Sequence, residues 1–163
     1  MTISADKRSI NHWIATGFGS GWLPSAPGTW GSIASLLPAW LILEHVGTDA
    51  LLIATALVTI IGCLVCYKVL PTLSGDKDPG WIVIDEWAGQ WLCLAMLVPE
   101  LGHSFQTLLI AFIAFRLFDI FKPWPISQTE KLGPPWWSII ADDLVAGVMG
   151  AITVTVLFQL ITS

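Results

Sequence analysis

Ala50-Leu-Leu-Ile-Ala-Thr-Ala-Leu-Val-Thr-Ile-Ile-Gly-Cys-Leu-Val-Cys-Tyr67 runs for eighteen residues without a charge, between Asp49 and Lys68. A helix that crosses a bilayer needs about 20 mostly apolar residues, so this stretch reads as a membrane span. Residues 144–163 form a second run, twenty residues long and again uncharged. The whole chain agrees with them: of 163 residues, 55 % are hydrophobic and 12 % charged, and the mean hydropathy is +0.73. Soluble domains carry about 25 % charged residues; half of that covers too little of a water-facing surface.

Three weaker apolar runs lie around these two. Residues 32–45 are interrupted by Pro38, residues 81–98 carry Asp85 and Glu86 near their start, and residues 104–121 carry Arg116 and Asp119 near their end. The 144–163 run begins earlier, near Ser138, with Asp142 and Asp143 in its first turns. The expected fold is therefore all-α: a polytopic membrane bundle of about five spans, forming a single domain over 1–163 with residues 1–11 as a polar cytoplasmic tail. Residues 17–32, Gly-Phe-Gly-Ser-Gly-Trp-Leu-Pro-Ser-Ala-Pro-Gly-Thr-Trp-Gly-Ser, are too rich in Gly and Pro for helix throughout. They read as a re-entrant or interfacial loop, irregular backbone held against protein.

Short cytoplasmic loops collect Lys and Arg. With five spans and an inside N-terminus, Lys7, Arg8, Lys68, Lys77, Lys122 and Lys131 all fall on the inner face, with Arg116 close to it. Trp13, Trp22, Trp30, Trp81, Trp87, Trp124, Trp136 and Trp137 fall in or near the same boundary and read as an aromatic belt. The formal net charge of -5 argues against a nucleic-acid partner, because phosphate-backbone binding needs a basic stripe. Cys63, Cys66 and Cys93 sit inside apolar runs without a His or second Cys pair to complete a zinc site, and read as packing residues.

The same threading brings Asp85 and Glu86, Asp119, and Asp142 and Asp143 to one depth from three different helices. Ionisable groups inside membrane helices cost several kcal/mol and usually mark function. Crowded carboxylates repel one another unless a cation lies between them, and a hard divalent ion, Mg2+ above all, prefers carboxylate oxygens. Arg116, Asp119 and Lys122, at i, i+3 and i+6, share one side of their helix; a planar Arg fork and a Lys point charge suit phosphate oxygens. Gly28, Thr29 and Ser32, where the Gly- and Pro-rich loop meets the first span, could add a backbone cradle for phosphate.

Four blocks carry a resemblance. Gly17-Phe-Gly-Ser-Gly with Pro27-Gly-Thr-Trp-Gly-Ser32, Val83-Ile-Asp-Glu-Trp-Ala-Gly89, Phe115-Arg-Leu-Phe-Asp-Ile-Phe-Lys-Pro-Trp-Pro-Ile126 and Asp142-Asp-Leu-Val-Ala-Gly147 resemble, in order, the phosphatidylglycerophosphatase A family. The resemblance implies a multi-pass enzyme of the bacterial inner membrane, with its site on the cytoplasmic face. It implies Mg2+-dependent removal of the terminal phosphate of phosphatidylglycerophosphate, giving phosphatidylglycerol for phospholipid synthesis. The family's acidic positions land on Asp85, Glu86, Asp119, Asp142 and Asp143, with Arg116 and Lys122 in the same blocks; the loop from 71 to 80, with Asp78, receives no assignment. No protein partner is expected.

Two alternatives stay open, a membrane transporter or channel using intramembrane carboxylates and a metal-dependent phosphatidyl transferase that fits the same metal and membrane face, and each has a feature against it, as has a cysteine phosphatase. A cysteine phosphatase needs Arg six residues after its Cys, and the positions six beyond Cys63, Cys66 and Cys93 are Val69, Thr72 and Pro99. A transporter using intramembrane carboxylates would line both leaflets with polar groups, yet 151–160 and 108–114 carry almost none. A metal-dependent phosphatidyl transferase would carry Asp-Gly-x-x-Ala-Arg, whereas Asp142-Asp143 is followed by Leu144.

Overall fold

The computed structural model describes residues 9–73, 78–129 and 131–163, and over these it is all-helical. Lys7, Arg8, Lys77 and most of the expected N-terminal tail lie outside the described residues. Seven α-helices follow in order: α1 Ile10–Ala15, α2 Pro27–His45, α3 Thr48–Val69, α4 Ile84–Ala95, α5 Phe105–Phe121, α6 Ile126–Thr129 and α7 Pro135–Thr162. Ser9 caps α1 and Ser104 caps α5, each hydroxyl accepting from a backbone N–H three residues on. That geometry satisfies one of the donors every helix start leaves unpaired.

Two of the five expected spans have the length and apolarity to cross a membrane alone. They are α3 with its trailing 3-10 turn, Thr48–Thr72, and α7; an eighteen-residue stretch of each has a mean hydropathy of 2.5 and 2.2, respectively, and only 28 % of that stretch is buried. A soluble protein would hide helices this apolar. Here Ile53, Leu57, Ile60 and Leu64 of α3 and Ile152, Leu157 and Leu160 of α7 face outward, so the outer surface is itself apolar, and a lipid environment accounts for it.

The third expected span is corrected. Only Ile84–Ala95 of 81–98 is helical; at 1.5 Å per residue that is about 18 Å, well short of the roughly 30 Å hydrocarbon core. The apolar run is long because α4 is enclosed by its neighbours, with ten of its residues buried, and a helix buried on all sides is apolar all round. Trp87 belongs to this core rather than to an aromatic belt: it is 8 % exposed and packs on Trp91 with ring centroids 5.7 Å apart. Trp13, Trp22, Trp30 and Trp124 are exposed.

The expected loop over 17–32 is irregular only as far as Ala26. Phe18, Ser25 and Ala26 have positive φ, and α2 starts at Pro27, where a missing N–H costs nothing because first-turn donors have no intrahelical partner. The helix runs on through Pro38 to His45. Val83 N–H donates to Ala15 C=O at 2.8 Å, tying the segment before α4 to α1.

Successive long helices alternate in direction. The N-termini of α2, α4 and α7 and the C-termini of α3 and α5 share one end, and the described Lys68, Arg116, Lys122 and Lys131 belong to that end. At the other end His103 Nδ1 lies 3.8 Å from Glu44 Oε2.

Candidate functional site

Two glycines set the geometry of the acidic end. In Asp85-Glu86-Trp87-Ala88-Gly89 and in Asp143-Leu144-Val145-Ala146-Gly147, a glycine follows an acid by four residues, on the same helix face. A β-carbon at Gly147 would strike the Gly89 carbonyl, and one at Gly89 would strike the Asp143 carbonyl and the Phe115 ring. Without those side chains α4 and α7 touch backbone to backbone. The acids one turn away are drawn together: one carboxylate oxygen from each of Asp85, Glu86 and Asp143 lies within 4.8 Å of the others. Gly28, at the start of α2, completes the approach, because a β-carbon there would overlap the Glu86 carboxylate and crowd Arg116.

The other two acids are committed to cations. Arg116 Nη1 pairs with Asp119 Oδ2, lies 3.8 Å from Glu86 Oε1 and donates to Ser32 Oγ at 3.4 Å. Ser32 in turn donates to the Gly28 carbonyl at 2.9 Å. Lys122 Nζ sits 2.6 Å from Asp142 Oδ2. Lys122 ends α5 in the left-handed region at φ 42°, its N–H held by Phe118 C=O at 2.8 Å, and Pro123 prevents continuation. That terminus places the ammonium across from α7 rather than along the α5 axis.

These groups line a cavity of about 300 Å³ open at the charged end of the bundle. Of the residues singled out from sequence, Gly28, Asp85, Glu86, Arg116, Asp119, Lys122, Asp142 and Asp143 line it. Thr29 and Ser32 do not. Ser32 is fully buried and supports Arg116 from behind. Sequence reasoning left Asp78 unassigned, and it lines the cavity with Gly80; its signal was an acid in a turn sequence, Asp78-Pro79-Gly80, facing the start of α4. Ile82, Ile120 and Ile139 add apolar wall.

The donor set suits a hard cation. Glu86 Oε2 and Asp143 Oδ2 are buried with no hydrogen-bond partner among the described residues. Buried carboxylate oxygens without donors are costly, and a divalent ion with carboxylate preference would answer both at once.

A family profile described as Phosphatidylglycerophosphatase A matches residues 13–158. The chain belongs to the phosphatidylglycerophosphatase A family. Its relatives include a Phosphatidylglycerophosphatase A of Haemophilus influenzae, 41 % identical over 88 % of this chain and 85 % of the relative. A Phosphatidylglycerophosphatase A of Escherichia coli is 36 % identical over 86 % of this chain and 78 % of the relative. A Bacteroides thetaiotaomicron protein, provisionally named a phosphatidylinositol-3-phosphatase, is 36 % identical over 88 % of this chain and 90 % of its own. No solved structure matches the chain. Family membership makes it one of a set of lipid phosphatases, and cations beside a carboxylate cluster are a charge pattern that suits metal-assisted phosphoryl transfer.

Arg116 joins three elements, so its removal tests the assembly. Arg116→Ala leaves Glu86 and Asp119 facing each other with little solvent, and breaking a buried pair from one side costs about 3–5 kcal/mol. The thermal midpoint in detergent should fall clearly, and Arg116→Lys, which keeps the charge but loses the fork, should fall less. An unaltered midpoint in Arg116→Ala would show that the guanidinium holds nothing together.

Proposed function

We propose that this protein hydrolyses the terminal phosphomonoester of phosphatidylglycerophosphate, releasing phosphate and phosphatidylglycerol, with Mg2+ as its cofactor. The observation that carries the reading is the triad of Asp85, Glu86 and Asp143 within 4.8 Å, in one cavity with Arg116 and Lys122. Asp85, Glu86 and Asp143 would hold the cation. Bound there, Mg2+ would supply positive charge for the phosphoryl oxygens and would make water easier to deprotonate.

The chain's own residues do the rest. Arg116 and Lys122 face the phosphate and neutralise the charge that spreads over its oxygens, which is much of the catalytic task in phosphoryl transfer. Asp119 and Asp142 aim those two cations through the ion pairs described above. One of these two carboxylates accepts the proton of the attacking water as the bond from phosphorus to the glycerol oxygen breaks, and that oxygen takes up a proton, from the same carboxyl group or from solvent, to leave as the hydroxyl of phosphatidylglycerol. Gly28, with no side chain, leaves the phosphate room beside Glu86 and the N-terminus of α2, whose first N–H groups favour anions.

Placement in the membrane follows the charges. The Lys and Arg residues at the cavity end support a reading with that end on the cytoplasmic side of the bacterial inner membrane. The chain runs back and forth five times, with α3 and α7 crossing fully and α4 enclosed between its neighbours.

Phosphate release in detergent from phosphatidylglycerophosphate, with Mg2+ and with a chelator, tests this directly. Release should fall at least tenfold on chelation; equal release in both would remove the metal from the mechanism. Phosphatidylinositol 3-phosphate is the comparison substrate, prompted by the Bacteroides relative's name, and faster release from it would reassign the headgroup.

A further inference from the structure

An apolar groove of about 460 Å³ opens on the outer surface between α2 and α5, walled by Leu36, Leu37 and Trp40 on one side and Phe105, Leu108 and Leu109 on the other. The same two helices carry Gly28 and Arg116 of the charged cavity. Along α2, Gly28, Ser32, Leu36 and Trp40 follow at steps of four; Gly28 lines the cavity, Leu36 and Trp40 wall the groove, and Ser32 between them is fully buried. Along α5, Arg116, Phe112, Leu109 and Phe105 form the facing stripe at steps of three and four. The hydrogen bond from Arg116 to Ser32, 3.4 Å long, marks the point where the charged half of the seam becomes the apolar half.

We infer that this groove holds an acyl chain of the phospholipid whose phosphate occupies the cavity, so that substrate enters sideways from the bilayer between α2 and α5. The inference rests on the lipid-phosphatase reading above. The reach fits: at 1.5 Å per residue the far end of the groove, at Phe105, lies about 16 Å along α5 from Arg116, comparable with the roughly 15 Å depth of hydrocarbon in one leaflet. A lipid with its phosphate against Arg116 has its chains directed down this seam.

The test uses the full-length protein in nanodiscs and phosphatidylglycerophosphate carrying a photoactivatable diazirine in one acyl chain. Crosslinks mapped by mass spectrometry should concentrate on 33–40 and 105–109, and unlabelled phosphatidylglycerophosphate should compete them away while phosphatidylcholine does not. Labelling spread over α3 and α7, or unaffected by the competitor, overturns the groove. In parallel, Leu109→Trp should lower kcat/KM on the long-chain lipid about tenfold, the scale of a core overfilled by an added ring. It should leave a deacylated, water-soluble form of the substrate within twofold, and Leu57→Trp should change neither. Equal loss on both substrates would mean that the tryptophan distorts the cavity, and the groove assignment fails. If the unmodified lipid releases no phosphate at all, the enzymatic reading fails separately, while the crosslink map still decides where the lipid lies.

Discussion

Asp143→Asn is expected to reduce phosphate release from phosphatidylglycerophosphate about 100- to 1,000-fold, the range for removing one preorganised electrostatic contact at a reacting centre. The substitution preserves size and shape, so the packing of α7 on α4 survives. It deletes one negative charge from the carboxylates within 4.8 Å, and the Mg2+ concentration needed for half-maximal rate should rise along with the loss. Asp85→Asn should behave alike. Asp142→Asn should differ in kind: Asp142 sits 2.6 Å from Lys122 Nζ, so its loss misdirects a cation and should slow turnover without a comparable change in Mg2+ requirement. Near-normal turnover by Asp143→Asn would mean that the site lies elsewhere.

Gly147→Ala is the second large effect, although it touches no charged group. The new methyl would collide with the Gly89 carbonyl, and backbone cannot swing aside as a side chain can. The two helices must separate, which costs about 1–3 kcal/mol as an overpacked core does. Asp143 moves away from Asp85 and Glu86 with it. A misplacement of about 1 Å at a reacting centre can cost roughly 100-fold in rate, so activity should fall by about that factor while the thermal midpoint falls moderately. Gly62→Ala is the control: its β-carbon would crowd the Cδ1 end of Ile140 at 2.9 Å, which can rotate, and otherwise make ordinary contact with the Ile84 side chain at 3.4 Å, so its activity should remain close to normal. Loss of activity in both variants alike would separate the effect from the α4–α7 crossing.

Much of the architecture was legible as hydropathy and charge. The runs at 50–67 and 144–163 became α3 and α7 because eighteen or more consecutive apolar residues have little use outside a membrane helix. Asp85, Glu86, Asp119, Asp142 and Asp143 were visible as acids at one depth. The run at 81–98 misled because hydropathy reports what a residue touches, and α4 touches protein on all sides where α3 leaves an apolar face exposed. Pro27 misled in the opposite direction, as proline is a poor helix residue everywhere except in the first turn.

Taken alone, the sequence determined that the chain is helical with two runs long and apolar enough to cross a membrane, that its acids and cations gather at one end, and that its motifs belong to a lipid phosphatase family. Those properties depend on residue type and on spacing along a helix, both of which are local. Only the tertiary structure decided that Asp85, Glu86 and Asp143 cluster while Asp119 and Asp142 pair with Arg116 and Lys122. The same holds for Ser32, which braces Arg116, and for Asp78, which joins the cavity. Partner choice among like residues turns on interhelical distances of a few ångströms, and those are fixed by where neighbouring backbones can meet, at Gly28, Gly89 and Gly147.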